Sequence, residues 1–520
     1  MSRRPAPVLM VQGTASHVGK TTLVAALCRI LRQDGHRVAP FKAQNMALNS
    51  FVAIEGGEIG RAQALQAEAA GVAPSIDMNP ILLKPEADAR SQVIVSGHSI
   101  GSMPAREYQI KKADLWPTVT AALDRLRQQY DIVVAEGAGS PAEINLKHAD
   151  ITNMRIALYA DAPVLLVGDI DRGGVFASLL GTLLLLDPAE RALVRGLAIN
   201  KFRGDPEILA PGLEMLTDRT GVPCLGVLPY LRDLDLPEED SLGLEGSPGD
   251  SRADADGATY GVDIAVIRLP RIANFDDFAP LQAEPRVRLR YVERAADLGQ
   301  PDLAIIPGTK TTMADLAWLR ERGFAAGLYA LAERGVPLIG ICGGYQMLGR
   351  RVEDPSGSES NVSAMDGLGL LPVDTIFEPE KRTVQVRGRL LATVGPLAGA
   401  RGSEVVAYEI HMGRTVADPS LAPLLRIQER QGAVVDELDG TVSADGVILG
   451  TYLHGLFDND PLRHALIEWL LTRRHAEPGG SAPLAPGQHA QERERQLDRL
   501  ADVVRHNLNL EPLLAARGLR

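Results

Sequence analysis

Val336-Pro337-Leu338-Ile339-Gly340-Ile341-Cys342-Gly343-Gly344-Tyr345-Gln346-Met347-Leu348 is an apolar run that ends in a cysteine, passes two glycines and turns into a helical pattern. Read locally, it is a strand, a sharp turn and a helix, with a thiol at the turn. Such a turn needs small neighbours, because the backbone at the nucleophile is strained. A helix N-terminus favours thiolate, the reactive form of the side chain. The Gly343 N–H is placed to donate to an oxyanion, and a second donor is expected after the apolar run Leu303–Ile306, at Gly308 or Thr309. A strand that feeds straight into a helix belongs to a parallel sheet covered by helices. Around this elbow, Val262–Arg268 and Leu303–Ile306 read as further strands, and Thr311–Glu321 and Tyr345–Arg350 as helices.

The same alternation fills the first half. Val8–Val11, Ile132–Ala135, Val164–Val167 and Gly196–Ile199 are strand candidates, and Thr21–Gln33 reads as a helix. Between the first strand and that helix lies Gly13-Thr14-Ala15-Ser16-His17-Val18-Gly19-Lys20-Thr21-Thr22. Glycines let successive backbone N–H groups face a phosphate, and the helix N-terminus adds positive charge. Lys20 would reach the β- and γ-phosphates, and Thr21 would offer its hydroxyl to Mg²⁺. Gly13, Thr14, Gly19, Lys20, Thr21 and Thr22 are therefore the candidate nucleotide contacts. Five residues separate Gly13 from Gly19, one more than the usual phosphate-loop spacing. Glu136 ends a later strand and suits a hard cation that takes one or two protein oxygens. Lys42, after Val38–Phe41, is a candidate for attracting an anionic substrate.

The fold class expected is α/β with two domains, the first a phosphate-loop-type parallel sheet with helices on both faces. The expected divisions are 1–236, a linker over 237–260 rich in acidic residues, Gly and Ser, a second α/β domain over 261–475, and 476–520. The last stretch opens on a break rich in Pro and Gly. It ends in a helical pattern with apolar residues at Leu497, Leu500, Val504 and Leu508, expected to dock on the second domain.

Over 520 residues there are 54 Lys and Arg against 66 Asp and Glu, a net charge of −12. That argues against a global positive field for nucleic acid. No apolar run approaches the ~20 residues of a membrane span. Three cysteines in so long a chain make no disulfide framework, and Cys28 and Cys224 read as core residues. The short apolar start is too brief for a signal peptide. A soluble cytoplasmic protein with no nucleic-acid or membrane partner is expected, and self-association into a homo-oligomer stays open.

Thiol chemistry needs a base. Two histidines qualify by position: His454 in Gly450-Thr451-Tyr452-Leu453-His454-Gly455, and His411 in Tyr408-Glu409-Ile410-His411-Met412-Gly413. Spacing leaves both open. Gly340–Gln346 together with Gly450–Gly455 resembles a class I glutamine amidotransferase domain, and that resemblance implies His454. Many members of that family carry His-x-Glu, the Glu orienting the imidazole, but here Leu456 stands at that position. The branch acting on corrinoid carboxylates lacks this Glu, which implies another orienting group, for instance a backbone carbonyl.

The long phosphate loop is similar to that of dethiobiotin synthetase and its relatives, a resemblance that implies ATP as the nucleotide and Asn200 as a contact to its base. The two domains in this order resemble the corrinoid amidases of cobalamin synthesis. Lys42–Ser50, Glu136–Leu146 and Gly168–Phe176 resemble the branch that amidates the b, d, e and g carboxylates of adenosylcobyrinic acid a,c-diamide. The resemblance implies ATP, Mg²⁺, glutamine as nitrogen donor and a corrinoid substrate. Two rivals are an a,c-diamide synthase, with the same chemistries on other carboxylates, and a partitioning ATPase, which would not need Cys342 or His454.

Overall fold

The structure, a computed structural model, describes residues 4–87, 89–231, 234, 261–474, 485 and 487–515. The linker expected over 237–260 lies outside these residues, as does most of the Pro- and Gly-rich break. The chain divides into two compact units: Met1–Ala47, Glu58–Glu239 and Gln491–Arg520 form the first, Leu48–Gly57 and Asp240–Ala490 the second.

The first unit is built on six strands, β1 (Val8–Gly13), β2 (Val38–Phe41), β3 (Ile132–Glu136), β4 (Val164–Asp169), β5 (Val194–Phe202) and β6 (Cys224–Pro229). They run parallel in the order β6-β5-β4-β1-β3-β2. Alternate residues enter two separate apolar cores: Val8, Met10 and Val133 face one, Leu9, Val11 and Val134 the other. Helices cover both faces, which is why these strands read as unbroken apolar runs. On one face packs α1 (Lys20–Gln33), through Leu23, Leu27, Ile30 and Leu31; α2 (Arg61–Ala70) lies against α1, and α3 (Trp116–Gln129) covers the opposite face through Val119, Leu123 and Leu126. A separate four-stranded sheet, Gln44–Met46, Ile81–Ala87, Arg90–Val95 and His98–Pro104, was not expected from the pattern of apolar residues.

In the second unit, β7 (Val262–Ile267), β8 (Val287–Val292), β9 (Leu303–Ile306) and β10 (Leu338–Ile341) are parallel in the order β8-β7-β9-β10. The sheet continues through long antiparallel strands: β11 (Val373–Leu390), β12 (Glu404–Ala417), β13 (Ala422–Arg430) and β14 (Ala433–Val442). β15 (Ile448–Thr451) closes the gap, pairing parallel with β10 and antiparallel with β14, and β16 (Leu453–His454) pairs with β12. Helices α4 (Thr312–Glu321) and α5 (Gly343–Leu348) follow β9 and β10. In the parallel half, β7, β9 and β10 fall on the strands expected from sequence, while β8 was not expected. The helix after Cys342 starts at Gly343, two residues earlier than expected, and ends at Leu348.

The C-terminal helix α6 (Gln488–Asn507) corrects one expectation: it docks on the first unit, not the second. Its stripe of Leu497, Leu500 and Val504 enters the same core as α1. Arg29, almost wholly buried, pairs with Glu494 at 2.8 Å and Asp498 at 2.7 Å. Past the helix, the Asn509 N–H donates to the Leu225 carbonyl on β6. The apolar period shows that a helix docks; the charges facing Arg29 select where. Among the described residues no helix is long and apolar enough to cross a membrane.

Candidate active sites

In the first unit the loop between β1 and α1 is shaped for close backbone approach. Gly19 holds φ +95°, and a Cβ there would lie 2.1 Å from the Asn200 amide nitrogen, so the position needs glycine twice over. The Lys20 side chain is curled into the loop, its Nζ donating to Ala15 O at 2.8 Å and to Gly139 O at 3.0 Å. Gly139 belongs to the loop after β3, so that loop and the phosphate loop close on one ammonium. Thr21 Oγ1 donates to Glu136 Oε1 at 2.8 Å, joining the first turn of α1 to the end of β3. Glu136 is fully buried and also accepts from Gln66 Nε2, at 2.6 Å. Lys42 Nζ sits 2.9 Å from Glu136 Oε1. The lysine singled out as an attractor of anions is thus held by the carboxylate singled out as a cation ligand.

The donor set suits a small hard cation. Thr21 Oγ1 and a Glu136 oxygen are neighbours, and the Lys42 ammonium already supplies positive charge at that oxygen. Among the described residues no group of three or more His, Cys, Asp or Glu could hold a metal by itself. Two protein oxygens with the rest from phosphate and water is the usual Mg²⁺ arrangement. Thr14 and Thr22 flank this loop, and the Thr14 N–H donates to Val167 O. Asn200 follows the buried part of β5, and its amide nitrogen donates to Val18 O at 2.8 Å. In this structure Asn200 therefore braces the phosphate loop.

In the second unit Cys342 lies at the end of β10 with φ +51° and ψ −109°, backbone strain of the kind expected at the elbow. Its N–H donates to Thr451 O, tying the elbow to β15, and its Sγ–H donates to Ile410 O at 3.4 Å. A Cβ on Gly344 would lie 1.9 Å from Ile306 O, so only glycine lets β9 press against the start of α5. The same contact brings the loop after β9 close. A Cβ on Gly343 would meet Thr309 N at 3.3 Å, and one on Gly308 would meet His454 Cε1 at 3.0 Å.

His454 is buried, and Cys342 lies close enough to favour the charged form of its ring. Its Nδ1 lies 2.7 Å from Asp277 Oδ2, and the Gly455 N–H donates to the other oxygen of that carboxylate at 2.9 Å. A carboxylate can only accept, so Nδ1 carries the proton and Nε2 is left for the thiol. Burial alone would disfavour an imidazolium; the Asp277 charge and hydrogen bond, with Cys342, outweigh it and push His454 up to about 10. The suggestion that a backbone carbonyl orients the ring is thereby corrected: the carboxylate of Asp277 does so.

Asp277 was missed because nothing local marks it. It sits in the short turn Phe275–Phe278, 177 residues before its histidine. The turn is held by the excursion Leu48–Gly57: Asn274 Oδ1 accepts from Ser50 N at 3.0 Å, and Asn49 Oδ1 accepts from Phe275 N at 3.3 Å. Phe51 packs on Tyr408, whose ring stacks on His454 at 5.4 Å between centroids. The Lys42–Ser50 segment was noticed in the sequence, but not this role for its last residues.

His411, the rival base, instead directs Nδ1 to Gly413 O at 2.7 Å and stacks on Tyr452. Burial pushes its pKa down to about 4. Cys28 lies in the core, where burial pushes its thiol up, and Cys224 is half-buried.

Known protein families match both parts of the chain. Residues 9–243 match the CobQ/CobB/MinD/ParA nucleotide binding domain, and residues 263–462 match the CobB/CobQ-like glutamine amidotransferase domain. The chain is 54% identical to the cobyric acid synthase of Pelotomaculum thermopropionicum over 518 residues, 99% of this chain and 97% of that one. It is 54% identical to the cobyric acid synthase of Sorangium cellulosum over 511 residues, 96% of each chain. Against that of Dehalococcoides mccartyi strain CBDB1 the identity is 51% over 512 residues, 98% of each. With a nucleotide-binding half, a glutamine amidotransferase half and full-length identity of this order, the chain belongs to the cobyric acid synthase family.

Proposed function

We propose that this chain uses ATP and glutamine to amidate the b, d, e and g carboxylates of adenosylcobyrinic acid a,c-diamide. The observation that carries this reading is the pairing, in one chain, of a buried Cys342–His454–Asp277 triad with a phosphate loop closed on Lys20. A carboxylate is a poor electrophile, and phosphorylation to an acyl phosphate lets ammonia displace phosphate. Gly13, Thr14, Gly19 and Thr22 supply the backbone cradle, and Lys20 neutralises charge on the phosphates. Thr21 and Glu136 would hold Mg²⁺, which neutralises phosphate charge when bound. Asn200 lies beside the loop where a base contact is expected. In the other half, His454 as imidazolium holds on Nε2 the proton given up by Cys342, the thiolate Sγ attacks the glutamine carboxamide, and the Gly343 N–H with Gly308 or Thr309 receives the oxyanion. His454 then protonates the leaving ammonia, and water hydrolyses the thioester. We place the reaction in the cytoplasm.

The test is product analysis by mass spectrometry with glutamine, ATP and the a,c-diamide. Four successive losses, each the difference between a hydroxyl and an amino group, are expected. Turnover of cobyrinic acid itself, with the a,c-diamide ignored, would favour the a,c-diamide synthase instead.

Two substitutions probe single groups. Glu136→Gln removes charge from the oxygen shared with Thr21 and Lys42. Amidation is expected to fall, and the Mg²⁺ concentration for half-maximal rate to rise about tenfold or more. An unchanged Mg²⁺ dependence would return Glu136 to a structural role. Asp277→Asn keeps the shape but removes the charge that raises His454. Glutaminase turnover is expected to fall about 10²- to 10⁴-fold. The imidazolium then loses its proton at lower pH, so the alkaline limb of the glutaminase profile should move to lower pH. A limb that stays in place would remove Asp277 from the triad.

A further inference from the structure

His411 lies on β12, one residue after Ile410, whose carbonyl accepts the Cys342 thiol at 3.4 Å. Its ring is fixed on both sides. It stacks on Tyr452 with centroids 3.9 Å apart and an angle of 20°. Its Nδ1 is 2.7 Å from Gly413 O. A carbonyl only accepts, so Nδ1 bears the proton and Nε2 of the neutral ring is a bare acceptor. Burial keeps that ring neutral, with its pKa pushed down to about 4. Nε2 is buried and has no hydrogen-bond partner among the described residues. Leaving such an acceptor unpaired is costly. Beside a nucleophile, that cost is relieved if a ligand brings the donor.

Glutamine offers two kinds of donor, its carboxamide NH₂ and its α-ammonium. The carboxamide nitrogen is bonded to the carbon that Sγ attacks; the α-ammonium lies three carbons further along. The strand bearing His411 touches Sγ itself, through the preceding carbonyl. That placement favours the carboxamide nitrogen as the donor. Its oxygen is taken by the Gly343 N–H, leaving its hydrogens in need of acceptors. The product, glutamate, presents only acceptor oxygens, which a bare Nε2 repels.

We infer that His411 is a substrate-binding residue of the glutaminase site, its Nε2 accepting an N–H of the scissile carboxamide and so selecting glutamine over glutamate. This rests on the assignment of Cys342 and His454 to glutamine hydrolysis.

The experiment uses the full chain and two substrates, glutamine and L-glutamate γ-methyl ester, whose reacting group has no N–H. His411→Phe keeps an aromatic ring against Tyr452 and removes the acceptor. Its kcat/KM for glutamine is expected to fall about ten- to a hundredfold, and for the ester by less than about twofold. His411→Gln, which offers an amide oxygen in place of Nε2, should hold kcat/KM for glutamine within about fivefold of wild type. Ester turnover also reports an intact Cys342–His454 pair in each variant. A Phe variant as good on glutamine as wild type overturns the inference. So does an equal loss on both substrates, the result expected if His411 met the α-ammonium or only supported the fold. Failure of the underlying assignment looks different: wild type itself would release neither ammonia nor methanol.

Discussion

Lys20→Ala is expected to abolish corrinoid amidation whether glutamine or ammonium salt supplies the nitrogen. The Lys20 ammonium is the charged group at the centre of the loop, only 7% exposed, and it is held there by the carbonyls of Ala15 and Gly139. Exchanging those carbonyls for phosphate oxygens takes a small movement of a flexible side chain. In a site closed to water, one such contact to the charge of a transferring phosphoryl group is worth about 10²–10³ in rate. Because activation of the carboxylate precedes attack by ammonia, changing the nitrogen source cannot rescue the variant. The check is the yield of amidated corrinoid under both conditions. Near-normal amidation from ammonium would separate this loop from ATP.

Cys342→Ala is expected to split the two chemistries. Glutamine-dependent amidation should fall by at least about 10³-fold, since the nucleophile itself is gone. Amidation driven by ammonium salt should persist, because the phosphate loop and Glu136 make no use of the thiol. Alanine keeps the same Cβ, so the strain of φ +51° is no greater than in the parent, and the lost bond to Ile410 O is a weak one. His454→Ala should show the same split with a larger glutaminase residue, as a cysteine is partly ionised near neutral pH without its base. Glutamine use by the Cys342 variant would refute the mechanism, as would failure of ammonium to support a folded variant.

The parts legible in the sequence are those whose chemistry is contiguous. A phosphate cradle is made by one strand, one loop and one helix start, so Gly13 to Thr22 displays it in order. A thiol elbow is likewise local: Gly340 to Gly344 carry both the small residues and the nucleophile. Strands buried on both faces appear as apolar runs, and most strands of the first unit's parallel sheet and of the parallel half of the second were readable for that reason. The long antiparallel strands from Val373 to Val442 were not, since their exposed faces interrupt the apolar run.

The sequence alone displayed two α/β domains, the glycine-bearing loop with Lys20 and Thr21, and the tight elbow at Cys342. The fold in three dimensions was needed to see that Asp277 orients His454, that Leu48–Gly57 supports the turn carrying it, that His411 Nε2 is buried without a partner among the described residues, and that α6 docks on the first unit. The difference is one of range. Backbone geometry and helix-end charge act over a few residues and leave a local pattern. A carboxylate 177 residues from its imidazole, or a helix choosing between two apolar surfaces, is selected by close packing and paired charge across the fold, and no short stretch of chain records that choice.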